Sequence, residues 1–253
     1  DATAAGRAGR RDRMISASVG GFMAVALGPL GWCVALGTLV GGDPMLGVEI
    51  AGASLAILWA GLVIRDLVRS GRLASALSTD ASETRLFDVP CRITPALGAD
   101  AIVVGTLQPR IFVGQPLLAS LAADELRAVV YHEDHHRRTR APLRAAALEA
   151  WLRLLGRSRG VRELIHDRLV DLEALADADA IRRGSTPRAL ARALLKGDSS
   201  LAPVSFAYAA DRRIGQLADR AAGVHVEPAG RIPYEWLPVL LFAVATLGCH
   251  AGL

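Results

Sequence analysis

The chain has 253 residues and a net charge of +4, and 52% of its residues are hydrophobic. This apolar fraction is higher than that of a typical soluble domain, so the first question is which segments could cross a membrane. The small basic excess is not clustered with aromatic side chains, which argues against a nucleic-acid partner. The three cysteines are far apart in sequence, so neither a disulfide framework nor a cysteine metal site is expected.

Three apolar segments are long enough to span a bilayer. Residues 14–40 carry no charge, and a second apolar stretch runs from about 44 to 64 with Glu49 near its start. The third is WLPVLLFAVATLGCHAGL at 236–253. The sequence therefore predicts two transmembrane helices within 14–64 and a third at 236–253.

Arginines set the expected orientation of these spans. Four of them lie in the basic segment 1–13, three more follow the second span at positions 65, 69 and 72, and the short loop between the spans has none. The positive-inside rule then places the N-terminus and a domain at 65–235 in the cytoplasm. We expect a multi-pass protein of the cell membrane, in contact with the lipid bilayer. The preference for arginine over lysine is typical of a GC-rich bacterial source.

Short strands and several helices are predicted within 65–235. The stretches FDVPCRIT (87–94) and AIVVGTLQPRIFVG (101–114) are rich in β-branched residues and broken by proline and glycine, which favours a small sheet. The segment 111–113, bounded by Pro109 and Gly114, is predicted to be an edge strand. Helices are expected at about 122–138, 142–155, 161–183, from Pro187 onward, and at 207–223.

The sequence VVYHEDHHRRTR, at 129–140, contains an H-E-x-x-H pattern formed by His132, Glu133 and His136. Two histidines four residues apart on a helix project from nearly the same face, so they can bind one Zn²⁺ while the glutamate reaches a metal-bound water. The alternative is a solvated, charged helix face. Asp134 and His135, between the two histidines, are expected to be exposed.

A catalytic zinc needs a third protein ligand. Downstream, Glu173 and Asp177 are four residues apart on a predicted helix and share a face. Glu173 is the candidate oxygen ligand, and Asp177 can accept a hydrogen bond from the second nitrogen of a ligand histidine. His166, seven residues before Glu173, is a weaker candidate for contact with the substrate or an oxyanion. Its alternative is an ordinary surface histidine.

Three stretches carry a family resemblance. PRIFVGQPLLASLAADELRAVVYHEDHH resembles the approach to the active-site helix of membrane-anchored zinc peptidases, LEALADADA resembles their downstream E-x-x-A-D element, and DRRIGQLAD resembles a later R-I-x-x-L segment. The short gap between the two ligand motifs favours the peptidase domain of β-lactam sensor-transducers, the BlaR/MecR type, over the HtpX-type membrane peptidases. The resemblance covers roughly residues 85 to 220.

The resemblance implies a mainly α-helical protein with a small β-sheet, in which a zincin-like (gluzincin) cytoplasmic metallopeptidase domain joins about three transmembrane helices. It also implies a zinc endopeptidase in which Glu133 is the general base and His132, His136 and Glu173 bind zinc. The substrate would be a cytosolic regulator such as a transcriptional repressor, or a membrane-proximal protein. Two other classes remain: a metal-binding but non-catalytic signalling or scaffold protein, and a channel or transporter with an accidental motif.

Overall fold

The structure, a computed structural model, describes residues 44–105, 108–196 and 213–218. The segment 1–13, the predicted first span and the predicted third span lie outside the described residues, and so do the flanks of the predicted last helix. The described residues fall into two compact units. One contains 44–62 and 147–165, and the other contains the described parts of 63–146 and 166–218.

The first helix, α1, runs from Pro44 to Ser78. It continues well past residue 64, where the sequence predicted the second span to end. Within it, Ile50–Ser78 is long and apolar enough to cross a membrane, and it is the single such helix among the described residues. Six large apolar side chains on this stretch are 36–71% exposed; they are Ile50, Ile57, Leu58, Ile64, Val68 and Leu73. These side chains favour an apolar surrounding such as lipid.

In the unit formed by 44–62 and 147–165, two tryptophans join two helices. The indole N–H of Trp59 donates to the carbonyl oxygen of Ala147 at 3.2 Å, and its ring stacks on Trp151 with centroids 5.6 Å apart. The helix that carries Trp151, α4, runs from Ala141 to Leu155, close to the predicted 142–155. The hydrogen bond satisfies the polar atom of a buried tryptophan, so the two rings pack at little cost.

Four short strands form one mixed sheet. They are β1 (Ser82–Leu86), β2 (Val89–Thr94), β3 (Ala101–Val104) and β4 (Arg110–Gly114), in the order β1-β2-β4-β3. β1 and β2 form an antiparallel hairpin, β2 and β4 are parallel, and β3 and β4 are antiparallel. The small sheet predicted from the sequence is confirmed, and β1 is an addition to it.

The prediction that 111–113 is an edge strand is wrong, because β4 lies between β2 and β3. Its three central residues, Ile111, Phe112 and Val113, are at most 1% exposed. Phe112 packs in one core cluster with Leu77 of α1, whereas Ile111 and Val113 pack in another cluster. A strand covered on both faces reads as a continuous apolar run, which is the pattern of a central strand.

Six helical segments follow the sheet in the described part of the chain. They are α2 (Gln115–Ser120), α3 (Ala123–Arg138), α4, α5 (Arg159–Arg182), α6 (Pro187–Lys196) and the helical residues 213–218. The helices predicted at 122–138, 142–155, 161–183 and from Pro187 are confirmed to within about two residues. The start of α3 lacks a capping side chain at Ala122. Glu125 compensates in part, because its Oε2 accepts the Ala122 N–H at 2.9 Å.

Helix α3 lies at the centre of its unit because it is buried on two sides. Val130 packs against the sheet beside Ile111 and Val113. Ala128, on another face, packs in a cluster with Leu190 of α6 and Leu217. The helix that carries the H-E-x-x-H pattern is therefore held between the sheet and other helices.

Gly114 marks the tightest backbone approach in the sheet. A Cβ at this position would lie 1.9 Å from the carbonyl oxygen of Gly98, whereas a Cβ at Gly98 would meet nothing within 4 Å. We predict that Gly114→Ala lowers the free energy of unfolding by about 1–3 kcal/mol, because the backbone must move apart. Gly98→Ala is the matched control and should change it little. Thermal unfolding of the detergent-purified chain measures both, and equal midpoints would contradict the predicted packing.

Candidate metal centre

Helices α3 and α5 bring two pairs of side chains together. His132 and His136 lie one turn apart on α3, and Glu173 and Asp177 lie one turn apart on α5. His132 contacts Asp177, and His136 contacts Glu173, so the contacts run in opposite directions along the two helices. All four residues are buried. The sequence predicted each pair to share a helix face, and the tertiary structure makes the two faces meet.

Three ligand atoms converge on one point. The Nε2 atoms of His132 and His136 are 2.9 Å apart, and they lie 3.3 and 3.2 Å from the two carboxylate oxygens of Glu173. Each of the three residues offers a ligand atom within 4.8 Å of the others, so the group could hold a metal ion. These are the three residues that the sequence predicted as ligands.

Asp177 fixes the orientation of His132. Its Oδ1 lies 2.9 Å from His132 Nδ1. Because a carboxylate can only accept, Nδ1 carries the proton, and Nε2 faces the metal position. This is the contact that the sequence analysis expected of Asp177.

Arg213, which was not among the candidate site residues predicted from the sequence, completes the cluster. Its Nη1 lies 2.7 Å from Glu173 Oε2, and its Nη2 and Nε donate to the two oxygens of Asp177 at 2.8 and 3.1 Å. Arg213 is 9% exposed. One sequence signal could have found it: two carboxylates buried together need a cation, and DRRIGQLAD is an arginine-bearing helix that follows them.

The charges within the cluster favour the ionised forms of Glu173, Asp177 and His132. Burial opposes ionisation of Glu173, but Arg213 and His136 outweigh it and hold the pKa of this carboxyl well below its usual range. Burial likewise opposes ionisation of Asp177, but Arg213 and His132 outweigh it and lower its pKa to about 2. Burial and Arg213 lower the pKa of His132, but hydrogen bonds to Asp177 and Glu173 outweigh them and raise it to about 9. The cluster therefore holds one proton that a metal ion can displace.

Glu133 lies beside the two ligand histidines in sequence and is partly exposed. Desolvation raises the pKa of its carboxyl, although the charges of His132 and His136 act in the opposite direction. A carboxyl whose pKa lies above its ordinary value holds a proton more readily than an exposed glutamate does. The general-base role of Glu133 stays a prediction from the sequence.

His166 does not join the three convergent ligands. It is partly buried on α5, and the seven residues to Glu173 correspond to an axial rise of about 10 Å. Its suggested contact with the substrate or an oxyanion remains a prediction.

The expectation that Asp134 is exposed is wrong. Asp134 is 5% exposed and accepts hydrogen bonds from Arg137, Arg138 and Arg183. His135 is partly buried rather than exposed, with Nδ1 3.5 Å from Asp179 Oδ2. The reason for the burial of Asp134 is that α3 is also covered on the side opposite the candidate metal ligands, by Arg137 and Arg138 of its own last turn and by Arg183, which follows α5.

Comparison of the chain with protein-family models, curated proteins and solved structures finds no match.

We predict that the detergent-purified chain binds about one equivalent of Zn²⁺ and that Glu173→Ala loses it, because two imidazoles alone leave the site without its third ligand. Glu163→Ala is the matched control, since Glu163 lies on the same helix in an exposed ion pair with Arg159. Elemental analysis after removal of free metal measures both. Zinc retained by Glu173→Ala would show that Glu173 is not a ligand.

The raised pKa of His132 predicts the pH dependence of metal binding. A ligand histidine must be neutral, so Zn²⁺ has to displace the His132 proton at any pH below about 9. Apparent affinity should therefore rise about tenfold per pH unit towards pH 9 and then level off. Calorimetry in buffers of different ionisation enthalpy measures the released proton.

The Asp177→Asn variant tests whether the proton released on zinc binding comes from His132 or from a water bound to the metal. Loss of the Asp177 carboxylate removes a contact that raises the pKa of His132, so fewer protons should be released at pH 7.5. Identical proton release by the variant and the wild type would contradict the assignment to His132.

Proposed function

We propose that the chain is an integral-membrane zinc endopeptidase that hydrolyses peptide bonds of a cytosolic regulator or of a membrane-proximal protein. The observation that carries the proposal is the convergence of His132, His136 and Glu173 on one buried point, with Glu133 on the same helix turn. Such a group leaves one position of a tetrahedral metal open, which is the mark of a catalytic rather than a structural site.

The donor set supports zinc as the metal. Two imidazole nitrogens and one carboxylate oxygen suit Zn²⁺, whereas Mg²⁺ and Ca²⁺ prefer oxygen ligands alone. The separations of 2.9–3.3 Å between the ligand atoms are close to the edge of a zinc tetrahedron, about 3.3 Å for bonds of 2.0–2.1 Å. The residues therefore fit the ion in both chemistry and spacing.

The proposed chemistry assigns the proton to Glu133. When bound, Zn²⁺ would lower the pKa of a water at the open position and polarise the peptide carbonyl. Glu133 takes the proton of that water as it attacks the carbonyl, and then delivers it to the leaving amine. The raised pKa of Glu133 supports both halves of this transfer, because the group holds the proton more readily than an exposed glutamate does.

Asp177 and Arg213 hold the ligands in place for this reaction. Asp177 keeps the Nδ1–H tautomer of His132, so that Nε2 is the donor to the metal. Arg213 binds Asp177 and Glu173 at once and restrains both carboxylates. We assign neither residue a direct contact with the substrate.

An extended substrate would pair with β3. The segment 111–113, predicted from the sequence to be an edge strand, lies in β4, which already has a partner strand on each side. Among the described strands, β1 and β3 are the outer ones, and β3 packs directly against α3. Backbone pairing along β3 would lay a peptide beside the helix that carries Glu133.

The membrane part of the proposal rests on α1 and on the sequence. One helix long enough to cross a bilayer supports membrane association. The arginines that follow its apolar part support a cytoplasmic site domain, through the positive-inside rule. The resemblance to BlaR/MecR-type peptidases suggests a transcriptional repressor as substrate, and the resemblance to HtpX-type peptidases suggests damaged membrane proteins.

We predict that Glu133→Gln lowers peptide cleavage by about 100-fold or more and leaves one equivalent of zinc bound, because the amide keeps the shape but cannot accept the proton. The assay uses a quenched-fluorescent peptide library with the zinc-loaded chain. Glu163→Gln, an exposed glutamate elsewhere, is the control and should cleave as the wild type does.

Two outcomes would contradict the peptidase assignment. Cleavage by Glu133→Gln at the wild-type rate would show that Glu133 is not the base. A zinc-loaded wild-type chain that cleaves no member of the library would favour the non-catalytic metal-binding protein instead.

A further inference from the structure

Four arginines gather where α3 and α5 end, on the side of α3 away from the metal ligands. They are Arg137, Arg138, Arg182 and Arg183, and we refer to them as the arginine cluster. Two buried carboxylates lie among them: the side chains of Asp134 and Asp179 are only 6% and 10% exposed. Neither carboxylate belongs to the candidate metal group.

The two carboxylates hold the guanidinium groups in fixed positions. Asp134 Oδ1 accepts from Nε and Nη2 of Arg137 at 2.9 and 2.7 Å, and Oδ2 accepts from Arg138 Nε and Arg183 Nη1 at 3.2 and 2.8 Å. Asp179 accepts from Arg138 and Arg182. Arg183 also lies over the ring of Tyr131, 3.9 Å from its centroid. Buried anchors of this kind remove much of the rotamer freedom that a surface arginine otherwise has.

The cluster still presents unbalanced charge and donors to the surface. Four guanidinium groups face two carboxylates, so two positive charges remain. The arginine side chains are 31–68% exposed. Each guanidinium has five N–H donors, and the two aspartates take one or two from each. A preorganised set of exposed guanidinium donors suits a phosphate, which arginine binds through two parallel hydrogen bonds.

The chain around the cluster points to a lipid phosphate. The last part of the candidate membrane helix, from Val63 onward, belongs to the same compact unit as the arginine cluster, and Leu77 of that helix packs in the core of this unit. Exposed arginines lie on that part of the helix, beyond its uncharged residues 50–64, at three positions that share one face; they are Arg65, Arg69 and Arg72. Basic segments directly beyond a membrane span attract anionic lipids. We propose that the arginine cluster binds the phosphate groups of anionic phospholipids at the membrane surface.

The test uses the full chain in a non-ionic detergent, with short-chain phosphatidylglycerol and short-chain phosphatidylcholine as probes. Binding is measured by native mass spectrometry and by calorimetry. We expect phosphatidylglycerol to bind in preference to phosphatidylcholine. The double variant Arg182→Gln/Arg183→Gln should weaken phosphatidylglycerol binding roughly 30-fold, since each basic residue contributes about 1 kcal/mol at a lipid surface.

Matched controls separate a site from general charge. Arg110→Gln/Arg159→Gln removes two positive charges from exposed positions outside the cluster and should leave the affinity almost unchanged. Arg182→Gln alone, at the most exposed member of the cluster, should give an intermediate loss even if the double variant folds poorly. Zinc content and far-UV circular dichroism report whether each variant keeps its fold.

Three results would overturn the proposal. If the cluster variant and the control variant lose phosphatidylglycerol affinity equally, net charge alone explains the binding. Inorganic phosphate that displaces phosphatidylglycerol at equal concentration would identify a soluble phosphate, not a lipid, as the ligand. Equal binding of phosphatidylcholine would show that the anionic headgroup is not recognised.

Discussion

The structure of the site depends on a set of buried charges that can only exist together. Glu173, Asp177 and Arg213 are each less than 10% exposed, and any one of them alone would be costly to bury. Together with a protonated His132, the two carboxylates and the guanidinium are electrically balanced. A divalent ion in place of the His132 proton adds one positive charge, and ionised Glu133 can offset it. The same side chains therefore accommodate a proton or a metal ion, and they tie together α3, α5 and the segment 213–218.

Helix α3 carries two different polar networks on opposite sides. His132 and His136 face the metal position, whereas Asp134 lies about 200° around the helix from His132 and anchors the arginine cluster. Both networks also reach α5. One does so through Glu173 and Asp177, and the other through Asp179 and through Arg183, the residue that follows the helix. The packing of Val130 on the sheet holds the helix between them. Ion pairs on both sides of α3 thus join it to α5, which restrains the spacing of the candidate metal ligands.

Most of the elements could be predicted from local pattern, and the errors have identifiable physical causes. The helices were found because their apolar residues repeat at helical spacing. β1 was missed because SETRL is a polar, largely exposed strand, and because its hairpin turn is formed by Phe87 and Asp88 with positive φ rather than by an Asn-Gly pair. The edge-strand prediction for 111–113 relied on the flanking Pro109 and Gly114 and was wrong, because the apolar run Ile-Phe-Val is buried on both faces. A central strand is defined by its neighbours on both sides, which local sequence does not specify.

The sequence by itself determined the candidate ligands. Helical geometry is local, so spacing alone places His132 beside His136 and Glu173 beside Asp177, and it also identifies an apolar helix long enough to cross a bilayer. Only the tertiary structure decided that these two helix faces meet, that Arg213 neutralises the carboxylates from a segment 36 residues beyond Asp177, and that Asp134 is buried rather than solvated. These pairings join residues far apart in the chain. Burial and charge balance in the folded state stabilise these pairings, and a local pattern of residues does not specify which distant residues will meet.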